Sequence, residues 1–105
     1  MKVAALSQRR FEAAKLQKIN LFETERFFLD VYCLLPGQAQ KAHAHAGSDK
    51  VYAVVEGSVH ARIAGEEREL RAGEAVLAPA GIEHGIENRS TERAAVLVFM
   101  APKPV

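Results

Sequence analysis

The sequence predicts an all-β chain folded as one antiparallel sandwich or barrel, and three observations carry that reading. Turn signals recur at short intervals: Pro36-Gly37, Ala46-Gly47-Ser48, Gly57, Gly65, Ala72-Gly73, Pro79-Ala80-Gly81 and the polar run 88–92. The runs between them are rich in Val, Phe and Tyr, which fit a pleated, half-buried surface. In one run Val59, Ala61 and Ile63 alternate with Ser58, His60 and Arg62, one dry face against one wet face.

Taken in order, residues 1–20 read as an N-terminal arm and 21–105 as the barrel. Within the arm, 8–17 holds the one helical stripe, formed by Phe11, Ala14 and Leu16, with no stop signal after it. Strand character follows over 15–22, 26–35, 50–56, 58–64, 67–70, 74–78 and 94–100. Residues 96–100 are apolar on both faces, as in a strand that is central between two layers or covered by a second subunit.

A chain of 105 residues and 11.5 kDa holds one core. Its 14 basic and 13 acidic residues nearly cancel and nowhere cluster, so nucleic acid is not an expected partner. No apolar run approaches the roughly 20 residues of a membrane span, and Ser7 and Gln8 interrupt the first apolar stretch before it makes a secretory leader. The single cysteine, Cys33, lies in the apolar run FFLDVYCLL and reads as a packed core thiol. The expectation is a soluble cytoplasmic protein.

Two stretches carry chemistry. In the first, His43 and His45 stand two apart; on an extended strand such residues face one way, with Cα atoms about 6.6 Å apart, and can aim at one cation. In the second, Gly73 opens a strand, Pro79 closes it, Gly81 permits a tight turn and His84 begins the next extended segment, so a third imidazole follows a rigid corner.

Together these stretches resemble the cupin superfamily. The first matches as Gly37, five residues, His43-Ala44-His45, then a strand closing on Gly57; the second matches as Gly73, five residues, Pro79-Ala80-Gly81, two residues, His84, three residues, Asn88. Fifteen residues separate Gly57 from Gly73, a short spacing usual in small bacterial members. The resemblance implies a small single-domain cupin: an antiparallel β-barrel of the jelly-roll, or double-stranded β-helix, kind, holding a divalent transition metal (Zn, Fe, Mn, Ni or Cu) on His43, His45 and His84. It also implies a small-molecule ligand or substrate and a homodimer.

Most members add a glutamate ligand, and here the corresponding position, seven residues before Gly57, is Lys50. A protonated ammonium has donors only and cannot coordinate. Three accounts stay open: a three-histidine centre with free positions, a site in which Asp49 turns inward, or a metal-free barrel in which Lys50 holds an anion. The strand parity that decides between Asp49 and Lys50 depends on whether Gly57 marks a bulge. Tyr52 shares the direction of Lys50 and reads as a lining phenol or a core tyrosine. His60 and Glu83 read as solvated, and regular parity turns Gln38 and Gln40 away from His43. The functions that fit are a dioxygenase, isomerase or lyase acting on a small organic molecule, or a non-enzymatic binding cupin.

Overall fold

The computed structural model describes residues 1–104. Val105, the end of the expected barrel, lies outside the described residues. Among the described residues nine strands form two antiparallel sheets: β1 (Gln17–Glu23), β2 (Phe28–Leu34), β3 (Ala39–His43), β4 (Asp49–Glu56), β5 (Ser58–Ile63), β6 (Glu66–Arg71), β7 (Ala75–Ala78), β8 (His84–Glu87) and β9 (Ala94–Ala101). One sheet runs β1-β2-β9-β4-β7 and the other β3-β8-β5-β6. Two of these strands, β3 and β8, are short and polar, which is why residue composition alone does not mark them as strands; they carry His43 and His84.

Alternate positions of both sheets meet in one core. Leu34, Val54, Val59, Ala61, Leu70, Ile86, Ala94, Val96 and Val98 are packed together there with Tyr32 and Tyr52. Burying such side chains is the dominant favourable term, about 1.5–3 kcal/mol for each large aliphatic. The doubly apolar run is explained by position: β9 lies between β2 and β4, at the centre of its sheet. Its outer face is partly roofed by the chain's own start. Ala95 packs with Val31 and Cys33 under Phe11, Ile19, Leu21, Val55 and Leu97.

Residues 8–17 do not form the expected α-helix. A single 3-10 turn occupies Ala5–Gln8, with no side-chain cap at its start, and the arm then runs irregularly to β1. Tertiary contacts hold it that way. Arg9 pairs with Glu56 at 2.5 Å, Arg93 stacks over the Phe11 ring at 5.0 Å, and the Gln38 amide donates to the Glu12 carbonyl at 2.7 Å. A weak amphipathic stripe cannot outweigh contacts that need an extended path. The first sheet takes up the chain from Gln17, so β1 includes residues that the sequence reading counts with the arm.

Gly57 sits at φ +72°, and an added Cβ would lie 2.4 Å from the Arg93 carbonyl oxygen. The irregularity it signals falls just before it, where the β4–β9 register shifts between Val54 and Glu56. Asn88, at the end of the second motif, is wholly buried. Its amide donates to the carbonyls of Leu34 (2.9 Å) and Glu92 (2.8 Å), while its oxygen accepts from the Ser90 N–H and hydroxyl. It ties together the ends of three strands. Asn88→Ala removes four hydrogen bonds, among them the buried one to the Leu34 carbonyl, and is expected to lower stability by about 2–4 kcal/mol in urea unfolding, against less than about 1 kcal/mol for Ser90→Ala; equal effects would contradict this role.

Candidate metal centre

β3 pairs with β8 as Gln40↔Ile86 and then His43↔His84, so three steps on β3 match two on β8. This extra residue is a β-bulge, and it breaks the period of two. Gln40 and His43 therefore both face the interior. The expectation that regular parity turns Gln40 away from the pocket is corrected by that bulge. Gly85 makes room for it: a Cβ there would lie 2.8 Å from the Gln40 carbonyl oxygen and 3.0 Å from the Ala42 nitrogen. Gln38 does stay out of the pocket, accepting from the Leu35 N–H and holding the arm.

β3 ends at His43, so His45 is placed by the following turn and not by the strand. The Gly81 N–H donates to the His45 carbonyl at 2.8 Å, and Gly81 adopts φ +79°. The Ala80 N–H of the same corner donates to Asp49 Oδ1 at 2.9 Å. That corner also leads to His84, so one turn fixes two histidines. Asp49 is exposed and occupied by this bond. The account in which Asp49 turns inward is corrected accordingly: the alternation of β4 buries Lys50, Tyr52 and Val54, and the bulge near Gly57 comes too late in the strand to invert it.

His43, His45 and His84 converge, with one candidate donor atom from each lying within 4.8 Å of the others. Ring centroids are 4.8, 4.4 and 5.7 Å apart. His43 Nδ1 lies 2.7 Å from the Lys41 carbonyl and His84 Nδ1 2.9 Å from the Ile82 carbonyl. A carbonyl accepts only, so each Nδ1 carries the proton and each Nε2 presents a lone pair. His84 Nε2 is buried and has no hydrogen-bond partner. An unsatisfied buried acceptor beside two other imidazoles fits a cation as its partner, and backbone carbonyls behind ligating rings are the usual orienting contacts. Zinc, at about 2.0–2.1 Å from each nitrogen, spans this cluster after a small closure. Burial lowers the pKa of His84, with Lys50 and the other two histidines adding to it; His45 is lowered by burial, then by His43 and the two lysines. Both are kept in the neutral form that coordinates.

Lys50 is 2% exposed. Its Nζ stands 5.6 Å from the Tyr32 ring centre and 5.1 Å from that of Tyr52, and it donates to Gln40 Oε1 at 3.3 Å. The Tyr52 hydroxyl donates to the same oxygen at 2.6 Å, while the Gln40 amide donates weakly to the Tyr32 hydroxyl at 3.4 Å. Tyr52 is thus both lining phenol and core residue: its ring is wholly buried, and its edge approaches His84 with centroids 6.0 Å apart. His43, His45 and Lys50 share a cavity of about 460 Å³, also lined by Lys18, Phe28 and Met100. His60 and Glu83 lie outside it, and Glu83 is exposed. Cys33 is fully buried among apolar residues, with its thiol pushed up in pKa by burial, which makes it a poor nucleophile.

A family model described as "Cupin domain" matches residues 30–100. The chain is a cupin. A tetracenomycin polyketide synthase protein, TcmJ of Streptomyces glaucescens, is 39% identical to this cupin over 75 residues, covering 71% of this chain and 50% of its own length. The chain therefore spans about half of that curated relative. The crystal structure of TT1209 from Thermus thermophilus superposes with a TM-score of 0.94 at 48% identity, covering 99% of this chain and 100% of that one. A predicted oxalate decarboxylase from Thermotoga maritima superposes with a TM-score of 0.79 at 20% identity, covering 83% and 80%, and shows shared fold alone.

Burial, reinforced by Lys18, pushes the Lys50 ammonium down to about 8 from an ordinary 10.5. Between those values the unfolded chain binds more protons than the folded one, so stability rises with pH across that window and the penalty is fully present below it. For the metal-free protein, Lys50→Met is expected to be more stable than the parent by about 2–3 kcal/mol at pH 7, the difference shrinking from about pH 8 to 10.5. Urea unfolding at several pH values measures this, and a difference that does not change with pH would contradict it.

Proposed function

We propose that this cupin binds one divalent transition metal (zinc, iron, manganese, nickel or copper) through His43, His45 and His84, and acts on a small organic molecule as a dioxygenase, isomerase or lyase. The observation that carries this reading is the unpartnered, buried Nε2 of His84 facing two further imidazoles. The similarity to a polyketide synthase protein supports an enzymatic role on an organic substrate.

A bound metal supplies a Lewis acid that polarises a ligand oxygen. The chain's own residues do the rest. Carbonyls of Lys41 and Ile82 hold two of the rings in one tautomer. The Tyr52 hydroxyl and Lys50 fix the orientation of the Gln40 amide at the cavity wall. Phe28 and Met100, beside Lys50 in the five-stranded sheet, give the lining an apolar part. Among the described residues the lining contains no carboxylate, so a proton in transit has to use a histidine, a tyrosine or a lysine. The same lack of a carboxylate base favours a second reading, a non-enzymatic cupin that binds a small ligand.

Elemental analysis of untagged protein is expected to give about one metal per chain, falling to background in His84→Ala and in a His43→Ala/His45→Ala variant that keep the β-rich circular dichroism of the parent. Unchanged metal content in those variants would reject the assignment.

We also propose a cytoplasmic homodimer. The free cysteine agrees with a reducing compartment, and no helix among the described residues is long and apolar enough to cross a membrane. Support for the dimer is the outer face of the five-stranded sheet beyond the arm, where Leu77 and Phe99 are 54% and 39% exposed beside half-buried Val51, Ala53 and Leu97. Light scattering at micromolar concentration is expected to return twice the chain's 11.5 kDa, falling to a single chain in Phe99→Glu; a monomeric parent would overturn this.

A further inference from the structure

The cavity wall carries an unusual charge arrangement. Lys50 is almost fully buried, yet no carboxylate of the described residues forms an ion pair with it; its one hydrogen-bond partner is the neutral Gln40 oxygen. A buried ammonium normally acquires an anionic partner, because one neutral acceptor does not replace its lost hydration. Lys18 adds a second unpaired ammonium at the mouth, with its Nζ 5.2 Å from the outer aromatic wall formed by Tyr32. Asp30, whose charge acts on both lysines from outside the lining, takes its hydrogen bond from the Asn20 amide at 2.8 Å and forms an ion pair with neither. Three like charges, Lys18, Lys41 and Lys50, therefore face one cavity whose lining among the described residues contains no acid. In a low-dielectric cleft such a field concentrates anions.

The two tyrosine faces hold Lys50 by cation–π attraction, which steadies the ammonium without neutralising it. With three donors on Nζ and one used on Gln40, donors remain for an incoming group. That group has to be anionic to offset the burial, and it has to fit beside His43 and His45 in about 460 Å³, the space of a small organic molecule.

We propose that the ligand of this cavity is a small organic acid, whose carboxylate is taken by Lys50 with help from Lys18 while a second oxygen faces the histidine cluster. This specifies the substrate class within the reading given above, and rests on that reading for the second oxygen only.

Calorimetric titration of the zinc-loaded protein with succinate and with its uncharged analogue succinamide tests it. Succinate is expected to bind at least about tenfold more tightly than succinamide to the parent. Lys50→Met, which keeps a side chain of similar length in the same apolar slot, is expected to bring the two to within about twofold while zinc content stays unchanged. Lys18→Met, at an exposed position that the core does not need, reduces the preference about threefold. Equal binding of succinate and succinamide to the parent, or a full preference retained in Lys50→Met, overturns the proposal. A failure of the metal reading is read separately: elemental analysis finds no zinc in the parent, and the preference for succinate is then measured on the metal-free chain, where its loss in Lys50→Met still supports the lysine's role and its persistence overturns it.

Discussion

The site rests on one departure from regular pairing, the bulge of β3 opposite β8. In an unbroken ladder Gln40 and His43 would face opposite sides of the sheet, because side chains alternate with period two. The register shift puts both inside, Gln40 above Ile86 and His43 beside His84. It needs the backbones of the two strands closer than a side chain allows, and Gly85 is where that contact falls. Gly85 follows His84 directly, so the residue that admits the bulge is the neighbour of the histidine that the bulge brings its partner toward.

From Gln40 the constraint passes to Lys50. One amide oxygen accepts from the ammonium and from the Tyr52 hydroxyl, which fixes the amide's orientation and leaves its nitrogen directed toward the Tyr32 hydroxyl. Burial pushes Tyr32 up to about 12 and Tyr52 higher still, so both remain neutral donors throughout the range in which Lys50 titrates. The cluster is polar throughout, yet the one carboxylate whose charge reaches Lys50, Asp30, forms no ion pair with it. A network of this kind places its members firmly and still leaves an electrostatic demand unanswered.

How far the sequence is legible depends on the kind of regularity each residue obeys. The barrel is readable because turn residues and alternation are local signals, and the three histidines because each belongs to a motif with a recognisable corner. Counting back from Gly57 places Lys50 at the absent glutamate, and the alternation of β4 points it inward. Gln40 is not readable, since a bulge moves side chains between faces without changing composition; the one trace of it is Gly85, whose meaning emerges only when β3 lies against it. The stripe of 8–17 misleads for the complementary reason. Phe11 does bury its ring, but against Arg93 and the outer sheet, a contact between residues far apart in sequence that leaves no period in the local pattern.

The inward positions also show why stability and chemistry can share so small a barrel. Along β4 the buried residues run Lys50, Tyr52, Val54; along β2 they run Asp30, Tyr32, Leu34, with Asp30 half-buried; along β8 they begin at His84 and pass to Ile86. Each strand therefore moves from polar to apolar along one axis. The tyrosines occupy the boundary, their rings in the core and their hydroxyls in the network, the arrangement that lets an amphipathic side chain satisfy both environments. Because the apolar end alone supplies the packed core, the polar end can hold groups that would be destabilising elsewhere, at a cost limited to desolvating them and offset when a ligand arrives.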